Sequence, residues 1–216
     1  MTTVAVLDYG MGNLRSVCKA LEHVAPKASV RLTARAEDIR RADRVVFPGQ
    51  GAIGGCMTAL ERGGLRAPLL EALREKPFLG ICLGLQALYE YSEEGGGTPC
   101  LNILRGTVRR FPAEKMLDAA TGRPLKVPHM GWNQVRQEAA HPLWRGIPRD
   151  SRFYFVHSYY AESADPADAA GTTEYVIRFT AAAARANIFA VQFHPEKSQA
   201  AGLKLLENFV SWDGGA

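Results

Sequence analysis

The chain has 216 residues, 47% of them apolar, and a formal charge of +4; that length can bury a sizeable core, and one α/β domain over residues 1–216 is expected. Its densest basic stretch, ARAEDIRRADR at 34–44, interleaves Glu37, Asp38 and Asp43 with arginines, which reads as a solvated helix face and argues against nucleic acid. No apolar run is long enough to span a bilayer and no basic leader precedes the first strand pattern, so no membrane is involved and a soluble, cytoplasmic protein is expected.

In chain order, TVAVLDYG at 3–10 is a β-rich run closed by glycine, and NLRSVCKALEHV at 13–24 carries apolar residues at helical spacing. The alternation continues with ASVRLT as a strand, AEDIRRAD as a helix, RVVF as a strand ending at Pro48, a helical stretch near 56–74, and PFLGI at 77–81 as a strand. Such alternation predicts an open, mostly parallel sheet flanked by helices. After residue 100 the runs shorten: GTVRRF, WNQVRQ, FYFVHSYY, EYVIRF and IFAVQF read as strands, followed by a helix from about Ser198 to Trp212. This half is expected to form an antiparallel extension on the parallel core. The alanine-rich TAAAARAN at 180–187 reads as a turn or short helix without function.

Cys18, Cys56, Cys82 and Cys100 lie far apart, with no C-x-x-C pair and no histidine at metal-ligand spacing. Neither a metal nor a disulfide framework is suggested. Cys18 reads as a small buried apolar residue on a helix, and Cys56 and Cys100 as incidental thiols in glycine- or proline-flanked loops. Cys82 differs. It falls where a buried strand turns into a helix, in G-x-C-x-G, the thiol counterpart of the G-x-S-x-G nucleophile elbow. Gly80 and Gly84 let the turn tighten, and a helix N-terminus favours thiolate over thiol. A buried structural cysteine is the competing reading of this motif alone.

A thiol nucleophile needs a base, and the base needs an orienting group. His194 ends a β-like run in IFAVQFHPEKS, with Glu196 two residues on. In an extended backbone positions i and i+2 face the same way, so Glu196 can hold one ring nitrogen and leave the other for Cys82. His23 and His141 read as surface residues; His129 and His157 have no carboxylate beside them. In FPGQGAIGG at 47–55, the backbone N–H groups of Gly49, Gln50 and Gly51, with that of Leu83, are candidate oxyanion donors. A phosphate loop is the alternative there, but no G-K-[ST] follows.

With PGQGA, GICLGLQ and VQFHPEKS in this order, the sequence resembles the class I (triad) glutamine amidotransferases, whose fold is of flavodoxin-like type. The resemblance implies Cys82 as nucleophile on the side-chain amide of L-glutamine, His194 as acid and base, and Glu196 as its partner. It also implies Gly49, Gln50 and Gly51 as the oxyanion strand, Gln86 at the backbone end of glutamine, and no cofactor. DYGMGNLRSV at 8–17, PHMGWN at 128–133 and FYFVHSYY at 153–160 are similar to the glutaminase subunits of imidazole glycerol phosphate synthases. That similarity implies a separate (β/α)8-barrel cyclase partner in a heterodimer, Ser158 and Tyr159 beside bound glutamine, and Asn13, Trp132 and Lys197 at the interface. Trp132 would otherwise read as core. Gln50 and Ala190 depart from the family pattern, at positions where small β-branched residues and glycine are frequent. The Gly49–Gln50 peptide is expected to reorient on activation, because a glycine neighbour lowers the torsional cost. Two rival readings stay open: another triad glutaminase or a stand-alone γ-glutamyl amidase with the same three residues, and a non-enzymatic subunit with an inert elbow.

Overall fold

Strand β1 (Thr3–Leu7) sets the pattern of the sheet, since Ala5 and Leu7 pack into one apolar layer and Val4 and Val6 into the other, the period-two alternation of a strand covered on both faces. In the computed structural model, which describes residues 1–112, 116–117, 122 and 124–215, β1 leads to α1 (Leu14–Val24), β2 (Ser29–Thr33), α2 (Ala36–Arg41) and β3 (Arg44–Gly49). There follow α3 (Ile53–Arg62), α4 (Arg66–Glu75), β4 (Phe78–Cys82), α5 (Leu83–Gln86), β5 (Tyr91–Ser92), β6 (Thr98–Pro99) and β7 (Gly106–Arg110). The later part holds β8 (His129–Gln134), β9 (Arg136–Gln137), β10 (Arg152–His157), β11 (Tyr159–Ser163), β12 (Ala169–Tyr175), β13 (Ile177–Arg185), β14 (Ile188–Val191) and α6 (Gln199–Ser211).

The main sheet runs β2-β1-β3-β4-β14-β13-β11-β7-β5-β6. From β2 to β14 every pairing is parallel, and β13, β11 and β7 continue it antiparallel, so the parallel core and its extension share one sheet. Leu60 of α3 and Leu69 of α4 cover one face, while Val17 of α1 and Phe209 of α6 cover the other. The carboxyl ends of β3, β4 and β14 therefore lie side by side, where open α/β sheets bind their ligands.

Several segments differ from their sequence patterns. β3 continues through Pro48 to Gly49; its pairing with β1 stops at Val46, so the missing N–H of proline falls beyond that ladder. The helical stretch near 56–74 is two helices, broken at Gly63 and Gly64, where Gly64 takes φ +63° as helix-terminating glycines do. Cys56 consequently sits on α3 in the core rather than in a loop. EYVIRF contains a hairpin turn, with Tyr175 and Ile177 paired across Val176 at φ +68°. The supposed turn TAAAARAN is mostly strand: β13 runs through Ala181, Ala182 and Ala183, all fully buried. FYFVHSYY is two strands in different sheets, because β10 pairs with β8 in a separate two-stranded sheet and the chain joins the main sheet only at β11. Ser158 is the residue at that change of sheet. WNQVRQ behaves alike, leaving the small sheet at Val135 so that β9 pairs with β12.

Candidate active site

β4 delivers Cys82 with φ 56° and ψ −105°, a left-handed conformation that costs a non-glycine residue of order 1–3 kcal/mol. The strain is fixed by close backbone approach on both sides. A Cβ on Gly84 would overlap the Phe47 carbonyl, and one on Gly80 would lie 2.9 Å from the Gly84 oxygen and 3.0 Å from the Ala190 methyl. Ala190 is registered against Gly80, so its methyl fits where the partner strand has no side chain. The helix after the elbow, α5, is one turn of 4 residues, so it lacks the aligned length from which a helix dipole is summed.

Beyond β14 the chain turns His194 toward the elbow and clamps its backbone. The His194 N–H donates to the Tyr154 carbonyl at 2.9 Å, and the His194 carbonyl accepts from Ser198 Oγ at 2.6 Å, which itself accepts from Tyr154 N at 3.0 Å. Glu196 lies in a 3-10 turn, Pro195–Lys197, so the turn and not strand alternation carries its Oε1 to 2.9 Å from His194 Nδ1. Both side chains are 2% exposed. His194 Nε2 is buried with no formed hydrogen bond, as nucleophile–base pairs often are before a substrate binds. Burial opposes charge on the ring, but the neighbouring Cys82 sulfur and the Glu196 carboxylate outweigh it, and the His194 pKa is pushed up to about 10.

A cleft of about 380 Å³ opens over the cysteine, lined by Gln50, Gly51, Cys82, Leu83, Gln86, Glu94, Pro128, Val156, His157, Ser158, Tyr159 and Lys197. That volume is enough for an amino acid. Gly49 ends β3 opposite Cys82 and has no room for a side chain, since a Cβ there would overlap the Tyr9 hydroxyl and stand 2.9 Å from Leu83 Cβ. The loop after β1 braces the next residues: a Cβ on Gly12 would come within 3.4 Å of the Gln50 nitrogen, and one on Gly51, at φ +100°, within 2.7 Å of the Met11 methyl. Lys197, part of the lining, has its Nζ 6.0 Å from the Tyr154 ring centre, and Trp132, 40% exposed, meets the same ring edge-on at 6.1 Å. Asn13 is exposed in the turn before α1. Of the candidate residues, Gln50, Gly51, Cys82, Leu83, Gln86, Ser158, Tyr159 and Lys197 line the cleft, Trp132 lines a separate depression, and Gly49, His194, Glu196 and Asn13 are outside the lining.

Four further residues contribute without a role assigned to them from the sequence. Glu94 lines the cleft and accepts from the Ile53 N–H at 2.8 Å, holding the start of α3. His157 and His129 form a buried pair: His157 Nδ1 donates to the Tyr159 carbonyl at 2.7 Å, so its Nε2 accepts from His129 Nδ1 at 3.0 Å. Gln192 touches the Cys82 sulfur. His141, expected at the surface, packs against Phe189 and Trp212 with ring centres 4.6 and 5.1 Å away. Among the described residues no cluster of metal-binding side chains is present.

The histidines make stability depend on pH in two directions. Burial holds His129 and His141 down at about 4 and His157 at about 3, below the unfolded value of about 6.5. As pH falls from there the unfolded chain takes up protons that the folded chain refuses, and stability is lost. His194 is raised instead, so its contribution is complete below about 6.5 and is lost as pH rises through about 10. Urea unfolding from pH 5 to 9.5 should give the greatest histidine-dependent stability near pH 6.5. Substituting His194 should flatten the alkaline limb alone.

A cysteine on an elbow, with a buried imidazole and carboxylate beside an amino-acid-sized cleft, is the equipment of an α/β enzyme for thiol-based acyl transfer. The chain belongs to the class-I glutamine amidotransferases, matching that family, described as Glutamine amidotransferase class-I, over residues 5–212. It is 60% identical over 212 residues to the imidazole glycerol phosphate synthase subunit HisH of Nitrosospira multiformis, a match covering 98% of this chain and 99% of that one. It is 58% identical to the subunit HisH of Methylococcus capsulatus, covering 99% and 98%. The fold is shared with the solved PurLQS structure from Thermotoga maritima, at TM-score 0.72 and 16% identity over 97% of this chain and 98% of that one. No helix among the described residues is long and apolar enough to cross a membrane.

Proposed function

We propose that this chain is the glutaminase subunit of an imidazole glycerol phosphate synthase, acting in histidine biosynthesis. The observation that carries the chemistry is the 2.9 Å contact of Glu196 with His194 Nδ1, which leaves Nε2 buried and unengaged beside Cys82. Substrate identity follows from the family, and the coupled role from the near-full-length likeness to subunit HisH proteins.

In this reading Cys82 Sγ attacks the side-chain amide carbon of L-glutamine, and backbone N–H groups of the Gly49–Gly51 strand and Leu83 receive the oxyanion. The imidazolium of His194 gives its proton to the departing nitrogen, which leaves as ammonia, and a glutamyl thioester remains. His194, now neutral, takes a proton from water as the water attacks the thioester. Collapse of the second intermediate releases glutamate and returns the sulfur to its starting state. Glu196 holds the ring in one tautomer throughout. Gln86 has its amide hydrogens engaged by Tyr159 and Gln192, so it meets the glutamine backbone end with its oxygen, as acceptor for the ammonium group. Ser158 and Tyr159 line the same end.

The ammonia is delivered to a (β/α)8-barrel cyclase that makes imidazole glycerol phosphate and the aminoimidazole carboxamide ribonucleotide. Trp132 and Lys197, which both approach the Tyr154 ring, together with Asn13, form the docking face in this proposal. Glutamine hydrolysis by the purified chain should be low alone and rise steeply when the cyclase and its nucleotide ligand are added. High activity alone, unchanged by the cyclase, would make the protein an uncoupled amidase instead.

A further inference from the structure

Gln192 donates a hydrogen bond to the Cys82 sulfur: its Nε2 lies 3.6 Å from Sγ. The side chain is completely buried, and its backbone is tied into the sheet by a 2.8 Å bond from Gln192 N to the Ala181 carbonyl. The orientation of its amide is fixed by its neighbours. Gln86 Nε2 donates one hydrogen to the Tyr159 carbonyl and the other to Gln192 Oε1, each at 3.0 Å. An oxygen that accepts from Gln86 must be the carbonyl end of the Gln192 amide, so the NH2 end faces the sulfur. The Tyr159 carbonyl is itself pinned from the other side by His157 Nδ1 at 2.7 Å.

We propose that Gln192 is a positioning residue for the nucleophile, donating a hydrogen bond to the Cys82 sulfur that holds it toward the cleft and stabilises its anionic form, with the Gln86–Tyr159 chain setting the direction of that donor. This deepens the glutaminase reading and rests on it. During thioester formation the sulfur loses its negative charge and the bond weakens; when the thioester collapses the charge returns and the bond strengthens. Gln192 thereby favours sulfur as leaving group in the second half of the cycle, alongside the imidazolium that His194 becomes on taking the water proton.

The test is the pH profile of Cys82 alkylation by iodoacetamide, read by mass spectrometry of the Cys82 peptide so that Cys18, Cys56 and Cys100 do not interfere. It needs neither substrate nor partner. His194 and the buried Tyr9 phenol act on the sulfur and Glu94, His157 and Lys197 line the same cleft; all are unchanged in the variants. Gln192→Met keeps the length and removes the donor; Gln192→Glu keeps an acceptor for Gln86 while its ionised form offers the sulfur no hydrogen. The midpoint of the profile should rise by about one pH unit in Gln192→Met, the scale of one lost hydrogen bond to a charged group, and by more in Gln192→Glu. Hydrolysis should lose kcat more than KM. Gln86→Met should move the midpoint part of the way, because the Gln192 amide is then free to turn over. A midpoint that stays in place in both Gln192 variants, whatever happens to their melting temperature, would overturn the proposal and leave Gln192 a packing residue. Absence of glutamine hydrolysis by the wild-type chain even with the cyclase and its nucleotide ligand added, with the midpoint shifted in the variants, would instead remove the glutaminase reading and keep the contact.

Discussion

Replacing Cys82 by alanine should lower glutamine hydrolysis by roughly 10⁵-fold, the scale on which loss of a triad nucleophile acts, while leaving ammonia-dependent synthesis by the cyclase complex intact. A structural cysteine makes a different forecast, since Cys82 is only 7% exposed and lies in an apolar layer with Ile81 and Val191. Removing a packing residue would impair both reactions together through loss of fold. The backbone supplies a second discriminator. At φ 56° and ψ −105° alanine inherits the strain of cysteine, whereas glycine does not. Cys82→Gly should therefore be equally inactive yet about 1 kcal/mol more stable than Cys82→Ala. The comparison needs only denaturation curves beside the assays. A chain that keeps strain at the residue it most needs, and is relieved when that residue is removed, holds the sulfur there for reaction. Equal loss of glutamine- and ammonia-dependent synthesis would end the nucleophile assignment.

The parallel half was legible because its signals are local. β1, β3 and β4 are short buried runs closed by glycine or followed by helical spacing, and G-x-C-x-G and His-Pro-Glu each sit within a few residues of one strand end. The antiparallel half hid its organisation for physical reasons. A β-rich run reports extended backbone and not the sheet it joins, so FYFVHSYY gave no sign of the crossing at Ser158. Alanine has little intrinsic strand preference, yet Ala181, Ala182 and Ala183 are strand because their small side chains fit between the covering layers. The least legible features are contacts between residues far apart in the chain. Glu94 reaches Ile53 and Gln192 reaches Cys82 across 41 and 110 residues, and neither glutamate nor glutamine announces such a partner by its own context. The hydrophobic pattern places the strand ends, and long-range polar contacts then complete the site around them.

Glu196→Gln should lower kcat/KM by about 10²–10⁴-fold with little change in the fold. The substitution keeps the size of the side chain but removes its charge, in a place where both it and His194 are 2% exposed and water cannot substitute. Two consequences follow at His194. Without the carboxylate one of the groups raising the ring above burial's opposing pull is lost, so its pKa falls below the present value of about 10. The amide can also turn its NH2 toward Nδ1, which puts the ring proton on Nε2 when neutral and leaves no base facing the sulfur. The first effect should appear as a lowered titration midpoint for His194 in nitrogen NMR, and the second as a loss of kcat/KM that persists at every pH. A partial return of activity in Glu196→Asp, whose charge is kept on a shorter arm, would separate charge from shape. Full activity in Glu196→Gln would mean that the Pro195–Lys197 turn alone orients the ring, and that the buried carboxylate serves the fold rather than the reaction.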